Sequence, residues 1–159
     1  MCIIVDANVF HRVLRSADDP DYYPVQHAIF GKHSGVQRLI LGGTVCAEEL
    51  KKDEVASRIV LRLDQMGRVQ LVSSSSVDAE AATLASQALC KSNDHHVIAL
   101  ARIAGARILC SADGALVADF KNKALIDNPR GRVYSKPSHR RLLTAECTQR
   151  CGGTNQCRK

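Results

Sequence analysis

Four short, mostly apolar runs, the first of them continuously so, are spaced widely along this chain, and the stretches between them carry helical spacing. Cys2-Ile3-Ile4-Val5, Arg38-Leu39-Ile40-Leu41, Val69-Gln70-Leu71-Val72 and Arg107-Ile108-Leu109-Cys110 are strand-length. Runs of this kind, apolar on both faces, suit the interior of a parallel sheet. Arg132-Val133-Tyr134 is a short fifth. Helices are expected over 9–14, within 22–30, from about Thr44, and over 56–66, where Ile59, Val60 and Leu63 share a face. Two more are expected over 77–89, capped by Ser76, and from Asp94 to the stop at Gly105. Alternating strands and helices predict an α/β fold: a central parallel sheet of four to five strands with helices on both faces.

No repeat and no interior linker divides the chain, so residues 1–136 are expected to form one domain. Residues 137–159 then form a basic, Cys-containing appendage with a helix around 140–147. A length of 159 residues with 45% hydrophobic composition supports one buried core. No apolar stretch approaches the roughly 20 residues a membrane span needs. The N-terminus lacks the basic region and cleavage signature of a signal peptide. The expectation is a soluble, cytoplasmic protein with no membrane partner. Seven scattered cysteines do not suggest a disulfide framework. Cys2, Cys46, Cys90 and Cys110 sit in apolar segments and read as packed thiols.

Charge is unevenly placed. Residues 121–159 hold ten Lys/Arg and two acids, a net of +8, whereas residues 1–120 hold twelve against fourteen, a net of −2. A balanced body with a basic end suits a protein that handles polyanions, although a solvated tail has the same composition. Arg130, Arg132, Lys136, Arg140 and Arg141 leave the fold near its last strand and are the candidate phosphate contacts. With three Phe, three Tyr and no Trp, no broad aromatic stacking platform is visible.

The acids carry the chemistry. Asp6 ends the first strand, and Asp113 follows the fourth in Ser111-Ala112-Asp113. In an open parallel sheet, ligands bind outside the carboxyl ends of the strands, so these two acids are positioned to converge. Asp94 opens a helix that leads back into the fourth strand, which places it beside Asp113; a simple N-terminal helix charge is the competing reading. Glu48 and Glu49 lie in the helix after the second strand, at the same edge. Carboxylates so grouped repel one another unless a cation neutralises them. An all-oxygen donor set without His or Cys suits Mg²⁺ or Mn²⁺.

Asp6-Ala7-Asn8-Val9 after an apolar strand resembles the D-x-N opening of PIN domains. Ala47-Glu48-Glu49-Leu50 is similar to that family's second acidic motif, Asp94 with Ile98-Ala99 and Ala101 to its D-x-x-I-x-A-x-A helix, and Ser111-Ala112-Asp113 to its T/S-x-D strand end. The resemblance spans about residues 2–135 and implies a three-layer PIN-like fold. It also implies a metal-dependent endoribonuclease. Asp6, Glu49, Asp94 and Asp113 would be catalytic, with Asp6, Asp94 and Asp113 on the metal and Glu48 and Asp119 as further candidate ligands. Asn8 and Ser111 would orient the acids. Asp119 has an equal reading as an ordinary surface acid. Many family members are toxins of toxin–antitoxin pairs, so RNA, an antitoxin protein and a second copy of the chain are the implied partners.

The rival readings are a catalytically idle PIN-like module that binds RNA or protein, and a phosphotransfer domain. A dehalogenase-like phosphatase wants Asp where Asn8 stands, and Lys121 lies too far past Ser111 to serve as a receiver lysine. His95 and His96 adjoin Asp94 and read as exposed or packing residues, since neighbours on a helix point about 100° apart. Cys147, Cys151 and Cys157 with His139 do not match a standard zinc spacing and read as a loose, reduced tail.

Overall fold

Side-chain alternation along the strands sorts the interior into two layers. In β1 (Cys2–Val5), Ile3 and Val5 face one layer while Cys2 and Ile4 face the other. A computed structural model describes residues 2–15, 19–31 and 38–143. After β1 come α1 (Ala7–Arg15), α2 (Tyr23–Phe30), β2 (Arg38–Gly42), α3 (Thr44–Lys51), α4 (Glu54–Gln65) and β3 (Val69–Val72). They are followed by α5 (Ser74–Gln87), α6 (His95–Ala104), β4 (Ile108–Cys110), α7 (Gly114–Phe120), β5 (Arg132–Tyr134) and a 3-10 helix (Pro137–Leu143).

All five strands are parallel, in the order β3-β2-β1-β4-β5. One layer joins Ile3, Val5, Leu39, Leu41 and Cys110 to Val9, Val13, Val25, Ile29 and Leu63 of α1, α2 and α4. The other joins Ile4, Ile40, Leu109 and Val133 to Val77, Leu84, Ile98, Leu116 and Phe120 of α5, α6 and α7. The protein is therefore a three-layer α/β fold, with a five-stranded parallel sheet between helices.

Local chemistry sets several boundaries. Asp53 caps α4 by accepting from the Ala56 N–H at 3.0 Å. Gly105 ends α6 in the left-handed conformation, at φ +67°. Helix α5 starts a turn earlier than expected, at Ser74 with Ser73 as the cap residue instead of Ser76. Serine is tolerated in a first turn, so a run of four leaves the start open. Helix α7 was not foreseen, because seven residues are too few to show a period. Asp113 starts it by accepting from the Leu116 N–H at 2.7 Å.

The 3-10 helix, at the start of the segment read as an appendage, packs against α2 and β5 and buries Leu143 in the first layer. Among the cysteines read as packed thiols, Cys46, Cys90 and Cys110 are free, whereas Cys2 is bonded as a disulfide. Burial alone does not distinguish a thiol from a half-cystine, which is why the sequence misled at Cys2. Cys147, Cys151 and Cys157, and residues 144–147 of the expected terminal helix, lie outside the described residues. No helix among the described residues is long and apolar enough to cross a membrane.

Candidate functional site

The strand order reverses between β1 and β4, and the crevice beyond the carboxyl ends of those two strands is the topological switch point. Strand β1 delivers Asp6 there, and β4 delivers Ser111 and Asp113. The main chains are tied first: the Asp6 N–H donates to the Cys110 carbonyl at 3.0 Å. Asp6 is 5% exposed. One carboxylate oxygen accepts from the Asn8 N–H at 3.3 Å, and the other accepts from the buried Ser111 hydroxyl at 2.7 Å. That hydroxyl also accepts from the Asp113 N–H at 3.0 Å. Asn8 thus meets Asp6 through its main chain, and its side chain is exposed. The Cys110 thiol, beneath Asp6, is pushed up to about 12 by burial and by the charge of Asp6.

Asp94 is the cap residue of α6, yet its side chain makes no capping bond. Its carboxyl is raised above the ordinary Asp value by burial first and then by the negative charge of Asp6, with Asp113 adding to it; His96 and His95 act in the opposite sense. Asp6 and Asp113 are thus joined through Ser111, and Asp94 lies near enough to feel the charge of both. Among the described residues, no three His, Cys, Asp or Glu side chains are drawn around a single point.

The glutamates separate. Glu49 is half-buried and lines a cavity of about 140 Å³ together with Val5 and Ala7, which flank Asp6, and with Phe10, Cys46 and Leu50. Burial raises the Cys46 thiol, and the Glu49 charge adds to the effect. Glu48 is exposed and lies outside that cavity.

Asp119 is neither a surface acid nor directed to the crevice. It is 1% exposed on α7, and both its oxygens accept from the Lys91 N–H at 2.9 Å. One of them also accepts from the Ser92 N–H at 2.7 Å. The Ser92 hydroxyl in turn accepts from the Asp94 N–H at 3.4 Å. Asp119 clamps the loop that presents Asp94.

Sequence reasoning missed this clamp and one other contact. The Asp78 carboxylate on α5 accepts from the Thr44 N–H at 2.9 Å and from its hydroxyl at 2.5 Å, fixing the start of α3, which carries Glu49. Those two bonds, hydroxyl first, hold the Asp78 carboxyl below its ordinary value, and His96 assists. Gly43 allows this approach, with φ at +87° and a Cβ position only 2.9 Å from Val77 Cγ1. His95 and His96 are both half-buried. A polar serine run and an exposed-looking Asp give no sequence signal for Asp78. Ser92, in a short loop between two helices, gives none either.

Of the candidate phosphate contacts, Arg130, Arg132 and Arg141 line one groove, together with Lys121 and His139. Lys136 and Arg140 are exposed and lie outside it.

Fold and site define a three-layer α/β protein with acids gathered where its parallel sheet reverses strand order. No family model and no curated protein matches the chain. Among solved structures, the chain is similar to the crystal structure of VapBC2 from Rickettsia felis bound to a DNA fragment from their promoter. The identity is 16%, covering 85% of this chain and 100% of that one, with a TM-score of 0.44. A likeness at that distance bears on neither activity nor partners.

Proposed function

We propose that this chain is a divalent-metal-dependent endoribonuclease of the PIN-like type, with Asp6, Asp94 and Asp113 as its metal ligands and Glu49 as a further catalytic acid. The observation that carries this reading is the Ser111 hydroxyl joining Asp6 to Asp113 at the switch point, with the Asp94 carboxyl, at the start of α6, raised by the charge of both. Burial and repulsion together disfavour its ionised form, and a cation at the mouth of the crevice would reverse that. The donor set is all carboxylate, which fits Mg²⁺ or Mn²⁺ better than a softer ion.

A bound ion of this kind supplies activated water and stabilises charge on phosphoryl oxygens. The protein's own contribution is placement. Ser111 sets the separation of Asp6 and Asp113, and the Asp119 clamp fixes the loop before Asp94. Glu49, beside Val5 and Ala7, would bound the crevice on the α3 side and order water there. Arg130, Arg132, Lys136, Arg140 and Arg141 supply the positive charge that would hold an RNA strand. Incubating the full chain with RNA and Mg²⁺ or Mn²⁺, and then with chelator, tests the reading: cleavage in the first condition and none in the second is expected.

One observation favours a second reading, that of an idle PIN-like binding module. Both Asp6 oxygens and one Asp113 oxygen already accept internal hydrogen bonds. RNA binding without cleavage under any divalent ion would support it.

A further inference from the structure

The candidate phosphate contacts do not form one continuous surface around the acids. Three of them, with Lys121, converge on a separate groove of about 520 Å³ between the end of α7, the start of β5 and the 3-10 helix. We propose that this groove is a second nucleic-acid site, an anchor for the phosphodiester backbone of an RNA strand at a distance from the acidic crevice; its role as an anchor for substrate rests on the nuclease reading.

Four features carry the inference. Among the described residues, the lining holds Lys121, Arg130, Arg132 and Arg141 and no acid. Four cations around one concavity focus a positive potential that suits a chain of phosphates. The groove is also preformed. The Arg130 Nε donates to the Lys121 carbonyl at 2.9 Å, which holds that guanidinium in place. At Gly131, a Cβ would lie 2.0 Å from the Phe120 carbonyl oxygen, so the chain here presses against the end of α7 and leaves its part of the floor without a side chain. His139 adds a donor. Its Nδ1 accepts from the Ser135 N–H at 3.3 Å, which leaves the proton of the neutral ring on Nε2.

The fourth feature is position. Arg132 pairs with Ile108 at the entering end of β4, whereas Asp113 lies beyond the leaving end. At about 3.3 Å per strand residue, the groove and the acids stand on the order of 15 Å apart. A stacked strand advancing about 3.4 Å per nucleotide covers that span in four to five nucleotides. A trinucleotide reaches one site only, and a dodecamer reaches both. Lysine and arginine contacts to phosphate carry no base information, so the anchor is indifferent to sequence.

The test is binding by the full chain in chelator, which requires no cleavage. The probes are a fluorescein-labelled 12-nucleotide RNA of mixed sequence, a labelled trinucleotide and poly-glutamate. The variant is Lys121→Ala with Arg132→Ala, leaving Arg130 and its hydrogen bond intact; Lys121→Arg with Arg132→Lys is the charge-keeping control. Expected are about tenfold weaker binding of the 12-mer and a salt slope reduced by about 1.4, from two lost single-strand phosphate contacts. Trinucleotide binding, which in chelator has only the groove to use, weakens in parallel, thermal melting stays unchanged, and the control restores both. Unchanged 12-mer affinity and slope would overturn the proposal. Trinucleotide affinity left at the wild-type value would also overturn it, by placing the phosphate anchor elsewhere. Poly-glutamate binding lost to the same degree as RNA would assign the groove to an acidic protein. If wild type binds as expected but never cleaves, the nuclease reading fails while the groove stands as a nucleic-acid site.

Discussion

The Ser111 hydroxyl donates to the Asp6 carboxylate at 2.7 Å while accepting from the Asp113 N–H at 3.0 Å, so one buried oxygen sets the spacing of the two strand-borne acids. Ser111→Ala leaves a buried carboxylate oxygen without its donor, which costs about 1–3 kcal/mol of stability. Cleavage is expected to fall about tenfold, a typical loss for a displaced metal-ligand partner. Ser111→Thr, which keeps the hydroxyl, recovers most of both. Melting curves and initial rates of the two variants check this, and an alanine variant equal to wild type in rate would remove Ser111 from the site.

Asp119 acts through Asp94. Asp119→Ala leaves the Lys91 and Ser92 N–H groups without their acceptor, for a loss of about 2–4 kcal/mol in the metal-free protein. Asp119→Asn keeps one acceptor oxygen and loses less. Were Asp119 a metal ligand instead, the Asn variant would melt like wild type without metal and lose only the metal-induced rise. Melting both variants with and without Mg²⁺ separates the two roles.

Asp94 makes the metal-free protein sensitive to pH. Burial, then Asp6, with Asp113 adding, raise its folded-state value above the ordinary 3.8. The folded protein therefore binds this proton more tightly than the unfolded chain does. The stabilising difference is fully present below pH 3.8 and is lost as pH rises through the raised folded value. At neutral pH the ionised carboxylate is a net burden that Asp94→Asn removes. The metal-free variant is expected to melt above wild type at pH 7, and the gap should close on acidification. A gap that widens in acid would reverse the sign of the interaction.

Gly43→Ala tests the link between α3 and α5. The substitution forces a side chain into φ +87° and places its Cβ 2.9 Å from Val77 Cγ1. A loss of about 1–3 kcal/mol is expected from strain and crowding. Since α3 carries Glu49, RNA cleavage should fall with it. Urea unfolding gives the first quantity and an RNA cleavage assay the second.

The layers, the parallel sheet and the strands were legible because continuous apolar runs such as Cys2–Val5 and helical faces such as Val97, Ile98 and Ala101 leave few other arrangements. Asp6 and Asp113 were legible as strand-end acids for the same reason. Local hydrogen bonding was not. Asp119 looks like any acid in a short polar-apolar stretch until the chain closes and brings Lys91 and Ser92 onto it, 28 and 27 residues away. Asp78 and Thr44 meet across 34 residues by the same long-range closure. Grouping Arg130, Arg132 and Arg141 apart from Lys136 and Arg140 also required the path of the 3-10 helix, which no periodicity reveals.

Asp6→Asn keeps the shape of the side chain and an acceptor for one of its two hydrogen bonds, and removes one negative charge. Cleavage of a labelled RNA by the full chain with Mg²⁺ or Mn²⁺ should fall below detection in this variant, while its metal-free melting temperature stays at or above that of wild type. Cleavage persisting in Asp6→Asn and in the presence of chelator would contradict the assignment of this crevice as the active site.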